Sequence, residues 1–327
     1  MIFFASLFAA VVPMFIYLLI LWSLDRNERD PFWMLIINFI WGGTGAVLLA
    51  VIGSTIFQMP VNEIVFAVTS DSSPNMIDIS GAIITAPVVE EFTKGIFLVI
   101  ISKSMRFDGV VDGVIYGGAI GLGFGMTENF LYFMSTSQNW LGIVIVRTLF
   151  SGVLHMLSQA TFGGFVGYAK FKPAILRAVL IPAGYLCAVA LHFCWNFSVS
   201  VGDLEPVGFL FLFLYMLGIF AAFQIALYIE NRHIYSELIE ESDAGVLPRQ
   251  FVPFITSVFR RSSQTWLPYS INKKVFVKKA VTLGLRKFQF KHTTGLQNSK
   301  YKFEVDKLRY EIQKMLYDAN INTGQNT

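Results

Sequence analysis

The sequence predicts an all-α polytopic membrane bundle of about seven transmembrane helices, followed by a basic cytoplasmic tail. Three observations carry this reading. Of 327 residues, 54% are apolar and mean hydropathy is +0.58, well outside the range of soluble chains. Most of the apolar content lies before residue 230, in seven helix-length runs near 2–24, 32–57, 80–102, 109–135, 140–169, 174–200 and 206–229, none with the short alternation of a barrel strand. The basic residues alternate between loops. Arg26 and Arg29 follow the first run, Lys103 and Arg106 the third, Lys170, Lys172 and Arg177 surround the turn after the fifth, and the tail holds sixteen Lys or Arg. The loops 58–79, 136–139 and 201–205 hold none. The positive-inside rule then places the N-terminus outside and the C-terminus in the cytoplasm. The division this implies is a transmembrane domain over 1–229 and a cytoplasmic tail over 230–327.

The first run has no basic n-region and exceeds the usual length of a signal-peptide core, so it is expected to be a retained span, kinked at Pro13. It and the second run have no charged residue in their interiors and read as scaffold. Residues 58–79, with Glu63, Asp71 and Asp78 and a turn at Ser72-Ser73-Pro74-Asn75, read as a solvated outer loop.

The third run holds Pro87-Val88-Val89-Glu90-Glu91-Phe92-Thr93-Lys94 at mid-span. On a helix Lys94 can pair with Glu91 at three residues or Glu90 at four. Each charge costs roughly 2.5–3.5 kcal/mol at the bilayer centre if it faces lipid, so these three should face the bundle interior. The fourth run spaces Gly113, Gly117, Gly121 and Gly125 four residues apart, a stripe that permits close helix packing in lipid. Continued by three and four positions, the stripe reaches Glu128 and Asn129, so the glycines are expected to hold Glu128 near a neighbouring helix. The fifth run aligns Arg147, Ser151, His155 and Ser158 on one face, and the sixth aligns His192 and Asn196. Cys187 and Cys194, seven residues apart on that helix, lie about 10 Å from each other, beyond disulfide reach, and read as small buried residues. In the tail, Tyr301, Val305, Leu308, Ile312 and Met315 predict an amphipathic helix near 300–318. The run Lys273, Lys274, Val275, Phe276, Val277, Lys278, Lys279 suits either contact with anionic lipid or an ordinary solvated segment.

Depth relates these residues. Counted from the outer span ends at about 1.5 Å per residue, Glu90, Glu91, Glu128, His155 and His192 all fall roughly 10–23 Å below the outer surface. The five charges Glu90, Glu91, Lys94, Glu128 and Arg147 together would cost about 12–17 kcal/mol if all faced lipid, so one interior cavity is expected. Carboxylates beside two imidazoles suit a divalent metal, typically zinc, and the set assigned to it is Glu91, Glu128, His155 and His192. Such a metal acidifies a bound water, and a free carboxylate then serves as general base. Adjacent helical residues point about 100° apart, so of Glu90 and Glu91 one activates water while the other holds metal or Lys94. Asn196 is assigned to the oxyanion, and Lys94 and Arg147 to support of the carboxylates.

The segments Glu90-Glu91-Phe92-Thr93-Lys94, Phe124-Gly125-Met126-Thr127-Glu128-Asn129, Arg147 through His155, and His192-Phe193-Cys194-Trp195-Asn196 resemble the motifs of the PrsW family of intramembrane metalloproteases. That family is similar to the type II CAAX prenyl endopeptidases. The resemblance covers about residues 1–230, including the turn Asp25-Arg26-Asn27-Glu28-Arg29. It implies cleavage of a membrane-anchored regulator such as an anti-sigma factor, and residence in a bacterial plasma membrane. Whether the chemistry uses a metal or a metal-free glutamate-histidine pair stays open. The partners are thus a membrane-anchored protein substrate and the lipid bilayer; nucleic acid has no place in this reading. His-Glu-x-x-His, Gly-x-Gly-Asp and Gly-x-Ser-Gly are absent, which sets aside the other intramembrane protease classes. An ion-coupled carrier or a non-catalytic scaffold would also retain buried charge.

Overall fold

The structure is a computed structural model that describes residues 2–136, 139–261, 263 and 266–321. Among these residues every regular element is helical. The expected outer turn at 136–139 and the end of the tail fall partly outside them.

The chain forms two compact units, residues 1–24 with 30–223, and residues 25–29 with 224–327. In the first unit α1 (Ile2–Leu24) runs unbroken through Pro13. Next come α2 (Phe32–Trp41), a π-helical turn (Gly42–Ala46) and α3 (Val47–Thr69), then α4 (Pro74–Ser80), a second π turn (Gly81–Thr85) and α5 (Ala86–Ile101). The helix α6 (Val110–Ser135) precedes α7 (Trp140–Val146), a third π turn (Arg147–Ser151) and α8 (Gly152–Ala169). The unit ends with α9 (Ala174–Ser200) and the first part of α10 (Glu205–Asp243).

Among the described residues, six helical runs are long and apolar enough to cross a membrane: Ile2–Leu24, Phe32–Thr69, Val110–Ser135, Trp140–Ala169, Ala174–Ser200 and Glu205–Asp243. The chain is thus a polytopic helical membrane protein. The stretch 80–102, expected as a further span, lies within Pro74–Ile101, and its three charges keep it out of this apolar class. The expected outer loop 58–79 is mostly helix instead. Val61 to Val68 continue α3 to Thr69, where Ser70 adopts a left-handed conformation (φ 56°). Ser73 then caps α4 by accepting from the Met76 amide, with Pro74 in the first turn, where its missing N–H costs nothing. The helix α3 thus ends at the left-handed Ser70, whose amide donates to the Phe66 carbonyl, rather than where the polarity changes.

The helix α6 sits at the centre of this unit, with 78% of its apolar window buried against 17% for α9 and α10. A helix so enclosed needs small side chains. A Cβ on Gly117 would lie 2.1 Å from the Gln159 oxygen of α8, and one on Gly123 1.9 Å from the Phe39 oxygen of α2. The glycines therefore set backbone-to-backbone contact on two faces, as packing in lipid favours. The outer helices expose apolar residues such as Phe4, Phe8, Ile52 and Ile175, as lipid-facing surfaces do. Cys187 and Cys194 are also free and exposed, so the expectation of buried cysteines fails: both are on the outward face of α9.

The second unit comprises residues 25–29, the rest of α10, a 3-10 turn (Arg249–Phe251), α11 (Val252–Thr256), α12 (Val258–Arg261), α13 (Lys273–Lys291) and α14 (Gly295–Asp318). It has its own apolar core, including Ile234, Leu238, Ile255, Leu283, Ile312 and Leu316. The amphipathic helix expected near 300–318 is α14, with Tyr301, Val305, Ile312 and Leu316 inward. Phe276 is wholly buried in this core, so it is not available to rest on lipid beside the lysines of α13. Arg309 donates to both oxygens of buried Glu241, Nε to Oε2 and Nη2 to Oε1, each at 2.7 Å, a bidentate pair that compensates the enclosed carboxylate.

Candidate active site

Four helices of the first unit contribute the site. The second π turn, at Gly81–Thr85, shifts the phase of the helix immediately before Pro87 and the charged segment. The third does the same at Arg147–Ser151, one turn before His155. Such bulges re-aim side chains without ending a helix.

Lys94 and Glu91 lie at the bottom, both with fully buried side chains. Lys94 Nζ donates to Glu91 Oε1 at 2.6 Å, lies 3.2 Å from His155 Nδ1 and 3.8 Å from Glu90 Oε2, and sits 4.3 Å from the centre of the Phe124 ring. An ammonium has only protons to offer, so Nδ1 of His155 accepts. That leaves Nε2 of His155 as the donor to Glu128 Oε2, at 2.7 Å.

Every oxygen of Glu91 is engaged. Oε1 also meets His192 Nδ1 at 2.8 Å, and Oε2 accepts from Gln159 Nε2 at 2.6 Å. Glu91 therefore stands behind His192 as its orienting carboxylate, the arrangement that fixes an imidazole with its other nitrogen available to a ligand. Gln159 also donates to the Glu91 main-chain oxygen at 3.1 Å.

A cavity of about 520 Å³ opens above these groups. Its lining includes Glu90, Glu128, Arg147, His155, His192 and Asn196. Glu91 and Lys94 do not line it. Arg147 is clamped in place: Nη2 donates to Glu128 Oε2 at 2.6 Å, Nε to Asn129 Oδ1 at 3.1 Å, and the guanidinium lies 3.5 Å from the centre of the Tyr132 ring. Asn196 spends one N–H on the Ala82 carbonyl at 2.8 Å, which leaves its second amide proton for the cavity.

Glu90, His155 and His192 each offer a ligand atom, and these atoms all lie within 4.8 Å of one another. Glu90 Oε2 is buried without a hydrogen-bond partner, 3.8 Å from the Lys94 ammonium, and so keeps its lone pairs for a metal. One carboxylate and two imidazoles are a donor set that suits a divalent metal. The residues thus fit the group. The sequence reading assigned Glu91 and Glu128 with the two histidines; the ligand-spaced group instead has Glu90, because the helix turns Glu91 toward Lys94 and Gln159 and Glu90 toward the cavity, while Glu128 Oε2 is engaged by Arg147 and His155.

Sequence reasoning missed Gln159 and Tyr132. Both were within reach of the same periodicity, Gln159 one turn beyond His155 and Tyr132 one turn beyond Glu128. Neither carries charge, so neither stood out in an apolar helix.

Residues 30–224 match the family described as PrsW family intramembrane metalloprotease. The chain is 27% identical over 201 residues to Protease PrsW of Clostridioides difficile, covering 59% of this chain and 78% of that protein. It is 28% identical over 193 residues to Protease PrsW of Oceanobacillus iheyensis, covering 59% and 81%, and 22% identical over 203 residues to Protease PrsW of Bacillus subtilis, covering 60% and 84%. No solved structure matches. The matched segment spans most of the first unit and every residue of the buried charged cluster, and the chain belongs to the PrsW family of intramembrane metalloproteases.

Proposed function

We propose that this protease hydrolyses a peptide bond in a single-span, membrane-anchored regulatory protein of the anti-sigma-factor kind, from a plasma-membrane location with its N-terminus outside. In this reading the charged run Pro74–Ile101 is the seventh crossing, residues 1–229 form the protease domain, and the rest is a cytoplasmic tail. The observation that carries it is the grouping of Glu90, His155 and His192 at the wall of an interior cavity. Charge retained inside a membrane marks a functional site by default.

A divalent cation such as zinc would be held by Glu90, His192 and one nitrogen of His155, which would give up its contact to Lys94 or Glu128 to bind it, and would supply acidification of a bound water and polarisation of the scissile carbonyl. The chain's own residues do the rest. Glu91, fixed by Lys94 and Gln159, holds the His192 ring in orientation. Glu128, fixed through Oε2 by Arg147 Nη2 and His155 Nε2, takes a proton from water on its other carboxylate oxygen, Oε1. Its proton then passes to the leaving amine nitrogen as the carbon–nitrogen bond breaks. The free amide proton of Asn196 donates to the developing oxyanion, an interaction whose loss costs about 10²–10³ in turnover elsewhere.

The test is co-expression with a candidate single-span regulator. Wild-type protein should release a fragment, and Glu90→Gln, Glu91→Gln and His192→Ala should each abolish it at equal protein level. Absence of a fragment from every single-span regulator tried, or variants that cut as well as wild type, would sink the proposal.

A further inference from the structure

The second unit holds a cavity of about 480 Å³ that the protease chemistry does not use. Residues 25–29 form one side of it, and Arg261 with the first turns of α13 the other. Six cationic side chains line it (Arg26, Arg29, Arg261, Lys273, Lys274 and Lys278) against two carboxylates, Asp25 and Glu28. The geometry points to a binding site for the phosphate headgroup of an anionic phospholipid.

The two carboxylates offset only part of this positive charge. Glu28 Oε1 accepts from Thr282 at 2.5 Å, and Asp25 Oδ1 accepts from the Asn27 amide at 3.2 Å. Arg261 is anchored by Nε to the Ile255 carbonyl at 2.5 Å and by Nη1 to the Arg26 carbonyl at 3.0 Å. Its Nη2 is buried and without a partner. A pinned guanidinium with a donor left over is suited to a phosphate oxygen, which guanidinium geometry matches. Arg26, Lys274 and Lys278 are exposed and complete the rim. Val277 and Val281 add an apolar wall, which a bare inorganic anion does not need and a glycerol ester does.

Chain connectivity selects a lipid over a soluble phosphate. Residues 25–29 lie between two membrane-spanning helices that end at Leu24 and begin at Phe32. At about 3.3–3.6 Å per residue no part of so short a link can travel far from the headgroup layer. Trp22 and Trp33 flank it, as aromatic residues do at a membrane interface, and Trp22 Nε1 donates to the Asp30 carbonyl at 2.9 Å. A basic cavity held there is within a Debye length of anionic lipid.

The experiment uses the full chain, purified in neutral detergent and titrated with phosphatidylglycerol or phosphatidylcholine under native mass spectrometry. Wild type should retain phosphatidylglycerol at least about tenfold more tightly than phosphatidylcholine, and the triple variant R26Q/K274Q/K278Q should lose that preference. A control with the same charge loss on α14, K300Q/K302Q/K307Q, should keep it. Thermal unfolding of both variants should match wild type, since all six side chains are exposed. Equal binding of the two lipids by wild type, or retention by the cavity variant, would overturn the proposal. So would equal loss in the control, which would mean unspecific attraction, or displacement of the lipid by equimolar glycerol 3-phosphate, which would mean a soluble ligand.

Discussion

Gly121 and His155 touch main chain to main chain: a Cβ on Gly121 would lie 2.0 Å from the His155 carbonyl oxygen. Two turns further along α6, Glu128 meets the His155 ring at 2.7 Å. The glycine is what lets α6 approach α8 closely enough for that second contact.

Gly121→Ala should therefore separate the two helices. Overpacking of this kind costs about 1–3 kcal/mol, and substrate cleavage should fall at least about tenfold as Glu128 withdraws from His155. Gly164 on the same helix pair is the comparison. A Cβ there would meet Val114 Cγ2 at an ordinary 3.5 Å, so Gly164→Ala should leave cleavage intact and raise thermal stability slightly. Cleavage assays with thermal melts of both variants check this, and equal behaviour of the pair would count against it.

Lys94→Met should be severe. It leaves the Glu91 carboxylate buried beside His192 with its ammonium partner gone, a change that costs about 3–5 kcal/mol in buried pairs. Adding Glu91→Gln to Lys94→Met should recover much of the stability and none of the activity, because the orienting carboxylate of His192 is then lost. Detergent melts and fragment yield separate the two effects.

Gln159→Leu removes the donor to Glu91 Oε2 and should lower stability by about 1–3 kcal/mol, the usual cost of an unsatisfied buried acceptor. Cleavage should fall with it. The single-turnover rate should drop more than substrate affinity, since Gln159 does not line the cavity.

Metal content discriminates between the two chemistries left open by the residues. Purified wild type should carry about one equivalent of divalent metal, and Glu90→Gln and His192→Ala should carry far less. Treatment with a strong chelator should stop cleavage and zinc should restore it. Unchanged cleavage after metal removal would favour the glutamate-histidine pair acting alone.

Topology is checked by reporter fusions after Asp71 and after Lys172, which should report opposite sides of the membrane. The same side for both would mean that Pro74–Ile101 does not cross.

Much of this molecule was legible in its sequence, because lipid makes strong demands on composition. Helix-length apolar runs announce a polytopic bundle, and charge that survives inside them, at Glu90, Glu91, Lys94, Glu128 and Arg147, announces a site. The glycine spacing on α6 foretold a close neighbour for Glu128, since small residues are the means by which helices approach in a bilayer. Periodicity also placed α14. What it did not decide was direction at the scale of one residue. Glu90 and Glu91 are equivalent as letters; only the packing of α5 against α8 and α9 turns Glu91 to Lys94, Gln159 and His192 and leaves Glu90 on the cavity. The continuation of α3 to Thr69, the enclosure of Phe276 and the outward position of both cysteines were hidden for the same reason. The cost of burying charge is a property of the residue, readable from sequence, whereas the partner that offsets it comes from a distant helix and is chosen only by tertiary contact.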